Sequence, residues 1–150
     1  MAALALAGLA GCAGGEGGDH SAFEEEVVSA RNTTDSSFAY IKRPDSTEDL
    51  VRRLRTSGDR LERASGSLAE TSAPENLEAE QEHLVGALRE MAKEMDGAAN
   101  SIELVQNGDS TPGLPVETLV FDTWDKVQAV LTALRSEGVH VEPLRPGGGP

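Results

Sequence analysis

The chain has 150 residues, a length that fits one domain of ordinary size. It carries 26 acidic and 13 basic side chains, which gives a formal net charge of −13 at pH 7. This charge would repel a polyanion along most of the surface, so nucleic acid is excluded as an expected partner. Aromatic residues make up only 3% of the chain, so the core must be built mainly from Leu, Val, Ala and Met. The single cysteine excludes an internal disulfide.

The first eleven residues contain only Met, Ala, Leu and Gly, and Cys12 follows them. This apolar run is too short to span a bilayer, but it has the length of the apolar part of a secretory signal. The stretch Leu9-Ala10-Gly11-Cys12 resembles the lipobox of bacterial lipoproteins, in which a leucine-like residue and two small residues precede a cysteine. The resemblance implies that residues 1–11 are a signal peptide that is removed. It also implies that the sulfur of Cys12 carries a diacylglycerol anchor.

Two features around this stretch qualify the expectation. A secretory signal begins with basic residues and none precedes this apolar run, so we expect the natural start to lie a few codons upstream. The alternative is a buried, unmodified Cys12, since free cysteine often behaves as a small hydrophobic residue. That alternative would require residues 1–11 to pack in the core. Residues 12–19, however, are rich in glycine and predict a flexible tether.

The first helical pattern runs from about Ser21 to Lys42. Its stripe residues recur at alternating spacings of four and three, which places them on one helix face. Half of the stripe is small or polar, and Asn32-Thr33-Thr34 is a poor helix former, so a break near Asn32 is expected. The stripe consists of Phe23, Val27, Ala30, Thr34, Ser37 and Ile41.

A second helix is predicted from about Thr47 to Glu70. Arg43-Pro44 separates it from the first, because a proline pushes the preceding residue out of the α region. Asp45 or Ser46 can cap this helix, with an acidic residue three positions further on, as in a capping box. Its apolar face consists of Leu50, Leu54, Leu61, Ala64 and Leu68.

The third helix has the clearest start signal in the chain. Ser72-Ala73-Pro74-Glu75 combines a serine cap, a proline in the first turn and a glutamate at the third helical position. The pattern that follows continues for about eight turns and predicts coiled-coil-like packing against neighbouring helices. Asn107-Gly108 ends it with a pair suited to a left-handed cap. The seam consists of Leu77, Gln81, Leu84, Leu88, Met91, Met95, Ala98, Ile102 and Val105.

A fourth helix is predicted to begin at Pro115 and to end at Gly138, which would act as its C-terminal cap. Residues 139–150 contain three prolines and a run of three glycines, and they predict a disordered tail. The seam of this helix consists of Val120, Trp124, Val127, Leu131 and Leu134, with Val116, Leu119 and Val130 beside it.

Together these elements predict an all-α domain over residues 20–138. Short loops after the second and third helices make neighbouring helices antiparallel, which gives an up-down-up-down four-helix bundle. The alternative is a three-helix core with a loosely docked first helix. The seams can close within one chain or between two copies, so a homo-oligomer stays open.

Few residue patterns indicate enzyme or metal chemistry. Glu80-Gln81-Glu82-His83 contains one Glu-x-x-His pair, whereas di-iron bundles use two, and the register places Glu80 and His83 beside the seam. Met91 and Met95 could ligate copper or haem, but methionine is more often a core residue. The chain has neither a four-ligand zinc pattern nor a Gly-x-Ser-x-Gly motif. We therefore expect no metal site, no cofactor and no catalytic residue.

These patterns favour a membrane-anchored, extracytoplasmic lipoprotein that is not an enzyme. Its acidic helical bundle would be a binding or structural module, held at the bacterial cell membrane by the lipid on Cys12. Anionic head groups would repel such a body, so we expect membrane contact through the lipid and not through a basic face. The alternative is a metal- or haem-handling helical domain of the cell envelope that uses His83, Met91 or Met95. The sequence indicates no particular protein partner.

Overall fold

A computed structural model of the chain describes residues 16–107, 119 and 121–145. All regular secondary structure in this part of the chain is helical, and it contains no strand. The predicted all-α class is therefore confirmed. None of its helices is both long enough and apolar enough to cross a membrane. Its four α-helices are α1 (Glu16–Ile41), α2 (Thr47–Glu70), α3 (Glu78–Asn107) and α4 (Thr123–Ser136), and a single 3-10 turn (Glu75–Leu77) precedes α3.

Hydrogen bonds between α2 and α3 show that these helices run in opposite directions. Near the start of α2, Arg55 donates to Glu103 near the end of α3, at 2.7 Å. At the other end, Gln81 near the start of α3 donates to the carbonyl of Leu68, at 2.6 Å. The seven-residue connection between the helices (71–77) imposes the same antiparallel arrangement.

The pairs α1–α2 and α3–α4 are antiparallel as well. Arg53 of α2 donates to the carbonyl of Tyr40 near the end of α1, at 2.8 Å. The ammonium of Lys126 near the start of α4 lies 2.6 Å from the Glu90 carboxylate of α3. The helices therefore alternate in direction along the chain, which confirms the up-down-up-down bundle.

The predicted stripe of α1 is buried along its whole length, and each of its six residues is at most 3% exposed. The helix is therefore an integral part of the core and is not loosely docked. It continues through Asn32, so the expected break is wrong. The physical reason lies in its small polar residues: Thr34 donates its hydroxyl to the Ala30 carbonyl within the helix (3.0 Å), and at Ser37 the carbonyl accepts from Ser57 of α2 (3.3 Å). The backbone of α1 also starts at Glu16, so residues 16–19 of the predicted tether are helical.

Of the N-terminal caps predicted for α2 and α3, the structure confirms the first and not the second. At α2 the predicted cap is confirmed, because the Ser46 hydroxyl accepts from the Asp49 amide (3.1 Å). At α3 the predicted Ser72 cap is wrong, since Pro74 occupies the cap position and no side chain caps the 3-10 turn. A long-range contact replaces it. The side-chain Nε2 of Gln81 donates to the carbonyls of Leu68 and Thr71, both at 2.6 Å, and so satisfies the end of α2.

The fourth helix begins later than predicted, at Thr123; residues 108–118, where its predicted start lies, are outside the described residues. Phe121 precedes the helix and is buried, with its ring edge-on to Phe38 of α1 (centroids 5.2 Å apart). The carboxylate of Glu94 accepts from both the amide and the hydroxyl of Thr123, at 3.3 and 2.5 Å. An acidic group at this position suits the positive end of the helix dipole, so α3 defines where α4 starts. The three aliphatic seam residues of α4, Val127, Leu131 and Leu134, are fully buried, as predicted.

At the other end of α4 the predicted cap is confirmed. Gly138 has φ of +95°, which glycine adopts without strain, and the amides of Gly138 and Val139 donate to the carbonyls of Arg135 and Leu134. This pair of hydrogen bonds is a Schellman motif. It turns the chain back toward the start of α4.

The chain then packs over residues 139–145, which we call the C-terminal strap. The predicted disorder is wrong for this segment, because Val139, Val141 and Leu144 are each at most 4% exposed. Residues 146–150 lie outside the described residues. The many prolines and glycines of residues 139–150 predict disorder in spite of these three apolar residues. The surface that covers the three side chains forms only when the helices pack.

Side chains of α1 and α4 form hydrogen bonds with backbone groups of the C-terminal strap. An ordered segment that belongs to no helix or sheet needs such partners for its backbone groups. Arg31, itself only 6% exposed, donates to the Pro143 carbonyl at 2.6 Å, and the other contacts are of the same kind. The strap runs parallel to α1 and closes the bundle between α1 and α4. The remaining contacts join the His140 amide to Glu24 (3.1 Å), the Leu144 amide to Gln128 (2.8 Å) and the Arg145 amide to Asp35 (3.1 Å).

We expect alanine substitution of two glycines in α2 to have opposite effects. A Cβ atom at Gly66 would meet nothing within 4 Å, so Gly66→Ala gains up to about 1 kcal/mol from helix propensity. A Cβ atom at Gly58 would lie 3.2 Å from the Ala92 carbonyl of α3, which cannot move without shifting that helix. Gly58→Ala is therefore expected to be less stable than the wild type in urea denaturation. Equal stabilisation by both substitutions would contradict this close helix approach.

We expect the C-terminal strap to contribute to global stability. Leu144→Ala removes a buried side chain and should lower the free energy of unfolding by about 2 kcal/mol. His140→Ala is the matched control in the same segment, because its side chain is 88% exposed. Thermal or urea denaturation of both variants measures the difference. A disordered tail would leave the two variants equally stable.

Candidate functional site

The predicted lipidation site, Cys12, lies outside the described residues and stays a prediction. The candidate ligands of the metal or haem alternative occupy different environments. Met91 and Met95 are fully buried in the core, whereas His83 is exposed. Eight residues of helix also separate His83 from Met91, which is about 12 Å along the axis. Over the described ranges, histidine, cysteine and acidic side chains form no group of three or more placed to hold a metal ion.

The structure instead places a group of polar side chains in an open groove between α1 and α2. The groove is open to solvent and has a volume of about 480 Å³. Small side chains line both of its walls, so the two helices leave a depression between them. We call it the hydroxyl groove; its eight lining residues are Glu26, Ser29, Thr33 and Ser36 from α1, and Arg60, Arg63, Ala64 and Ser67 from α2.

Three of the four hydroxyl groups in this groove differ from most others in the helices, whereas the fourth, that of Ser36, donates to the Thr33 carbonyl of its own helix at 3.1 Å. Elsewhere, helical hydroxyls donate to a carbonyl of their own helix three or four residues earlier, as in Thr56, Ser65, Ser101, Thr132 and Ser136. In the described part of the chain, the hydroxyls of Ser29, Thr33 and Ser67 make no such bond to their own helix. Because a hydroxyl has one proton, a hydroxyl not bonded to its own helix can donate to a bound molecule.

The guanidinium group of Arg60 is positioned by an aromatic ring. Its central carbon lies 4.9 Å from the ring centre of Tyr40, and the corresponding atom of Arg53 lies at the same distance. Such contacts are cation–π interactions. Arg63 donates its Nε atom to the Asp59 carbonyl (3.1 Å). Among the described side chains, no carboxylate oxygen lies within 4.0 Å of the guanidinium of Arg60 or Arg63.

Asp49 positions Arg53, the second arginine that contacts the Tyr40 ring. Its carboxylate lies 2.6 Å from the Nε atom of Arg53, and it also accepts from the Asp45 amide (3.0 Å). The hydrogen bond from the Asp45 amide, together with those from Arg52 and Arg53, lowers the pKa of the Asp49 carboxyl below its ordinary value of 3.8. Asp49 thus fixes Arg53 against Tyr40, beside the arginine that lines the groove.

The chemistry of the hydroxyl groove suits binding more than nucleophilic catalysis. None of its lining residues is a histidine or a cysteine, and a serine hydroxyl needs an adjacent base to become a strong nucleophile. Guanidinium groups and hydroxyls together are typical donors to phosphate or carboxylate oxygens.

Comparison of the chain with protein-family models, with curated proteins and with solved structures finds no match.

Sequence reasoning did not identify this groove. A signal was present, because Ser29, Thr33 and Ser36 recur at spacings of four and three on α1, and Arg60, Arg63 and Ser67 do the same on α2. Each stripe alone looks like an ordinary solvated helix face. Only the packing of α1 against α2 places the two stripes opposite each other.

We expect Asp49→Asn to reduce both stability and its dependence on pH. Because the folded pKa of Asp49 is depressed, its contribution to stability is present above about pH 4 and disappears as the pH falls through the folded pKa. The variant should melt at a lower temperature at neutral pH and lose less stability between roughly pH 5 and pH 2 than the wild type does. Asp59→Asn, whose exposed carboxylate makes no ion pair among the described residues, is the control. Identical pH profiles for wild type and Asp49→Asn would contradict this role.

Proposed function

We propose that this chain is a lipid-anchored protein outside the bacterial cytoplasmic membrane, and that its helical bundle is a non-catalytic binding or structural module. The observation that carries the proposal is the stretch Leu9-Ala10-Gly11-Cys12 at the end of an uncharged apolar run. The diacylglycerol on Cys12 is the membrane attachment in this proposal.

The position of α1 supports such an attachment. Cys12 lies four positions before Glu16, where α1 begins, so the chain between them spans at most roughly 14 Å. The lipid would therefore lie close to one end of the bundle. Because the helices alternate in direction, this is the end at which α2 stops and α3 starts.

The charge at that end supports attachment through the lipid alone. Exposed glutamates are concentrated there, and anionic head groups would repel them within about one Debye length, which is about 8 Å at physiological ionic strength. The body would then stand off the membrane with its helices pointing away from it. These glutamates are Glu70, Glu75, Glu78 and Glu82.

In this orientation the hydroxyl groove runs away from the membrane along the side of the bundle. Glu26 and Ser67 lie nearer to the anchored end, and Arg60 lies farther from it. A binding role for the module is consistent with this open and accessible position.

Metabolic labelling tests the anchor. We expect wild-type protein, expressed from its natural gene in its host, to incorporate an alkyne-tagged fatty acid and to sediment with membranes. Cys12→Ala should incorporate no label, because the acceptor sulfur is lost. Ala13→Ser is the matched control beside the cysteine and should label like the wild type. The anchor would be contradicted if wild type and Cys12→Ala were labelled equally, or if neither were labelled.

A further inference from the structure

We infer that the hydroxyl groove binds a phosphorylated polyol, with the phosphate at Arg60 and Arg63 and the polyol hydroxyls along Ser29, Thr33 and Ser67. This inference deepens the binding role proposed above and rests on it, but it does not depend on the lipid at Cys12. A soluble sugar phosphate has this chemistry and fits the anchored orientation, in which the phosphate end of the groove lies away from the membrane. The head group of a phospholipid such as phosphatidylglycerol shares the chemistry, and the test distinguishes it.

The two arginines supply the anion site. Arg60 and Arg63 are three residues apart on α2, so their side chains leave the helix on the same face. The chain has twice as many acidic as basic side chains, yet the described carboxylates that form ion pairs do so with other basic groups, and none lies within 4.0 Å of these two guanidinium groups. A planar guanidinium presents paired donors that match the oxygens of a phosphate.

Arg60 is also held in place before any ligand binds. Its contact with Tyr40 limits the rotation of a long side chain, and Asp49 and Arg53 support the same ring. Ordering such a side chain on binding otherwise costs about 0.5–1.5 kcal/mol. A preorganised donor is therefore better suited to binding than a mobile surface arginine.

The hydroxyl stripes supply the polyol site. A sugar hydroxyl both donates and accepts, and so does each hydroxyl of Ser29, Thr33 and Ser67. These three groups are not bonded to their own helices, unlike the back-bonded hydroxyls on the other helix faces. The groove thus offers complementary partners along its length.

Glu26 gives the ligand a direction. Ten residues of α1 separate Glu26 from Ser36, which is about 15 Å along the helix. The antiparallel register places Arg60 near Ser36 and Ser67 near Glu26. The Glu26 carboxylate repels a phosphate and accepts from hydroxyls, so the phosphate end is directed to the arginines and the polyol end to Glu26.

The net charge of −13 does not prevent this binding at physiological salt. Charges more than about 8 Å away are largely screened at that ionic strength, so the local field depends mainly on the nearest charges, which are the two guanidinium groups and the Glu26 carboxylate. Because the groove is open to solvent, we expect affinity to fall as salt is raised.

The test is a titration of the purified full-length chain, followed by chemical-shift changes and calorimetry. The probes are glucose 6-phosphate, inorganic phosphate and glucose. We expect glucose 6-phosphate to bind more tightly than inorganic phosphate by about fivefold or more, because the hydroxyl contacts add to the anion contacts. Glucose alone should bind most weakly, since it lacks the charge-assisted contacts.

Two double variants separate the two halves of the site. R60Q/R63Q should weaken glucose 6-phosphate binding by about tenfold or more, whereas Arg55→Gln, an arginine of α2 paired with Glu103, should not. S29A/S67A should abolish the preference for glucose 6-phosphate over inorganic phosphate. Ser101→Ala, whose hydroxyl donates to its own helix, is the control and should keep that preference. Circular dichroism of each variant verifies that the fold is retained.

Vesicles distinguish the two sources of the ligand. Binding to glucose 6-phosphate and not to phosphatidylglycerol vesicles assigns a soluble ligand, and binding to those vesicles but not to phosphatidylcholine vesicles assigns a lipid head group. Loss of either interaction in R60Q/R63Q, but not in Arg55→Gln, supports the site. The inference is overturned if no probe binds, if Arg55→Gln weakens binding as much as R60Q/R63Q, or if inorganic phosphate binds as tightly as glucose 6-phosphate. Fatty-acid labelling of Cys12 is unaffected by any of these results, so failure of the groove and failure of the anchor are separately visible.

Discussion

The packing of α2 against α3 is the contact on which the rest of the bundle depends. These two helices share the most extensive interface, while α1 packs chiefly on α2 and α4 on α3. Glycine at position 58 allows the α3 backbone to approach α2 closely, and Gln81 ties the end of α2 to the start of α3. Burial of apolar area is the main favourable term in folding, and here a single core cluster extends over all four helices and the strap. The fully buried leucines of the central pair are Leu54, Leu61, Leu68, Leu84 and Leu88.

The small polar residues of α1 act differently on its two faces. On the inner face, Thr34 and Ser37 are fully buried, which allows α1 to lie close to its neighbours. On the outer face, Ser29 and Thr33 line the hydroxyl groove. The intrinsic helix propensity of α1 is low, and an isolated helix of this composition would be marginal in water. The bundle therefore maintains the helix on which half of the proposed binding site depends.

Charged side chains, like the small polar ones, lie partly at the surface and partly in specific contacts. Much of the acidic excess lies at solvent-exposed positions and at one end of the bundle, whereas a few arginines and carboxylates make specific contacts between elements. Arg31 is buried against Asp35 (3.0 Å) and holds the C-terminal strap, and Arg53 supports Tyr40 beside the groove. A buried ion pair needs further hydrogen bonds to offset its desolvation, and Arg31 obtains them from the Pro143 carbonyl.

The helical class, the bounds of α2, the Ser46 and Gly138 caps and most of the buried apolar positions of the helices follow from the sequence, because each of these depends on residues within a few turns of one another. The tertiary structure alone decided the continuity of α1, the replacement of the Ser72 cap by Gln81 and the start of α4 beside Glu94. It also decided the order of the C-terminal strap, whose contact between Arg31 and Pro143 joins residues 112 positions apart. The hydroxyl groove belongs to this second group, since two polar stripes become a site only when the packing of α1 on α2 brings them together. Local patterns specify which face of a helix is apolar, whereas a partner for a polar group far along the chain exists only once the helices have docked.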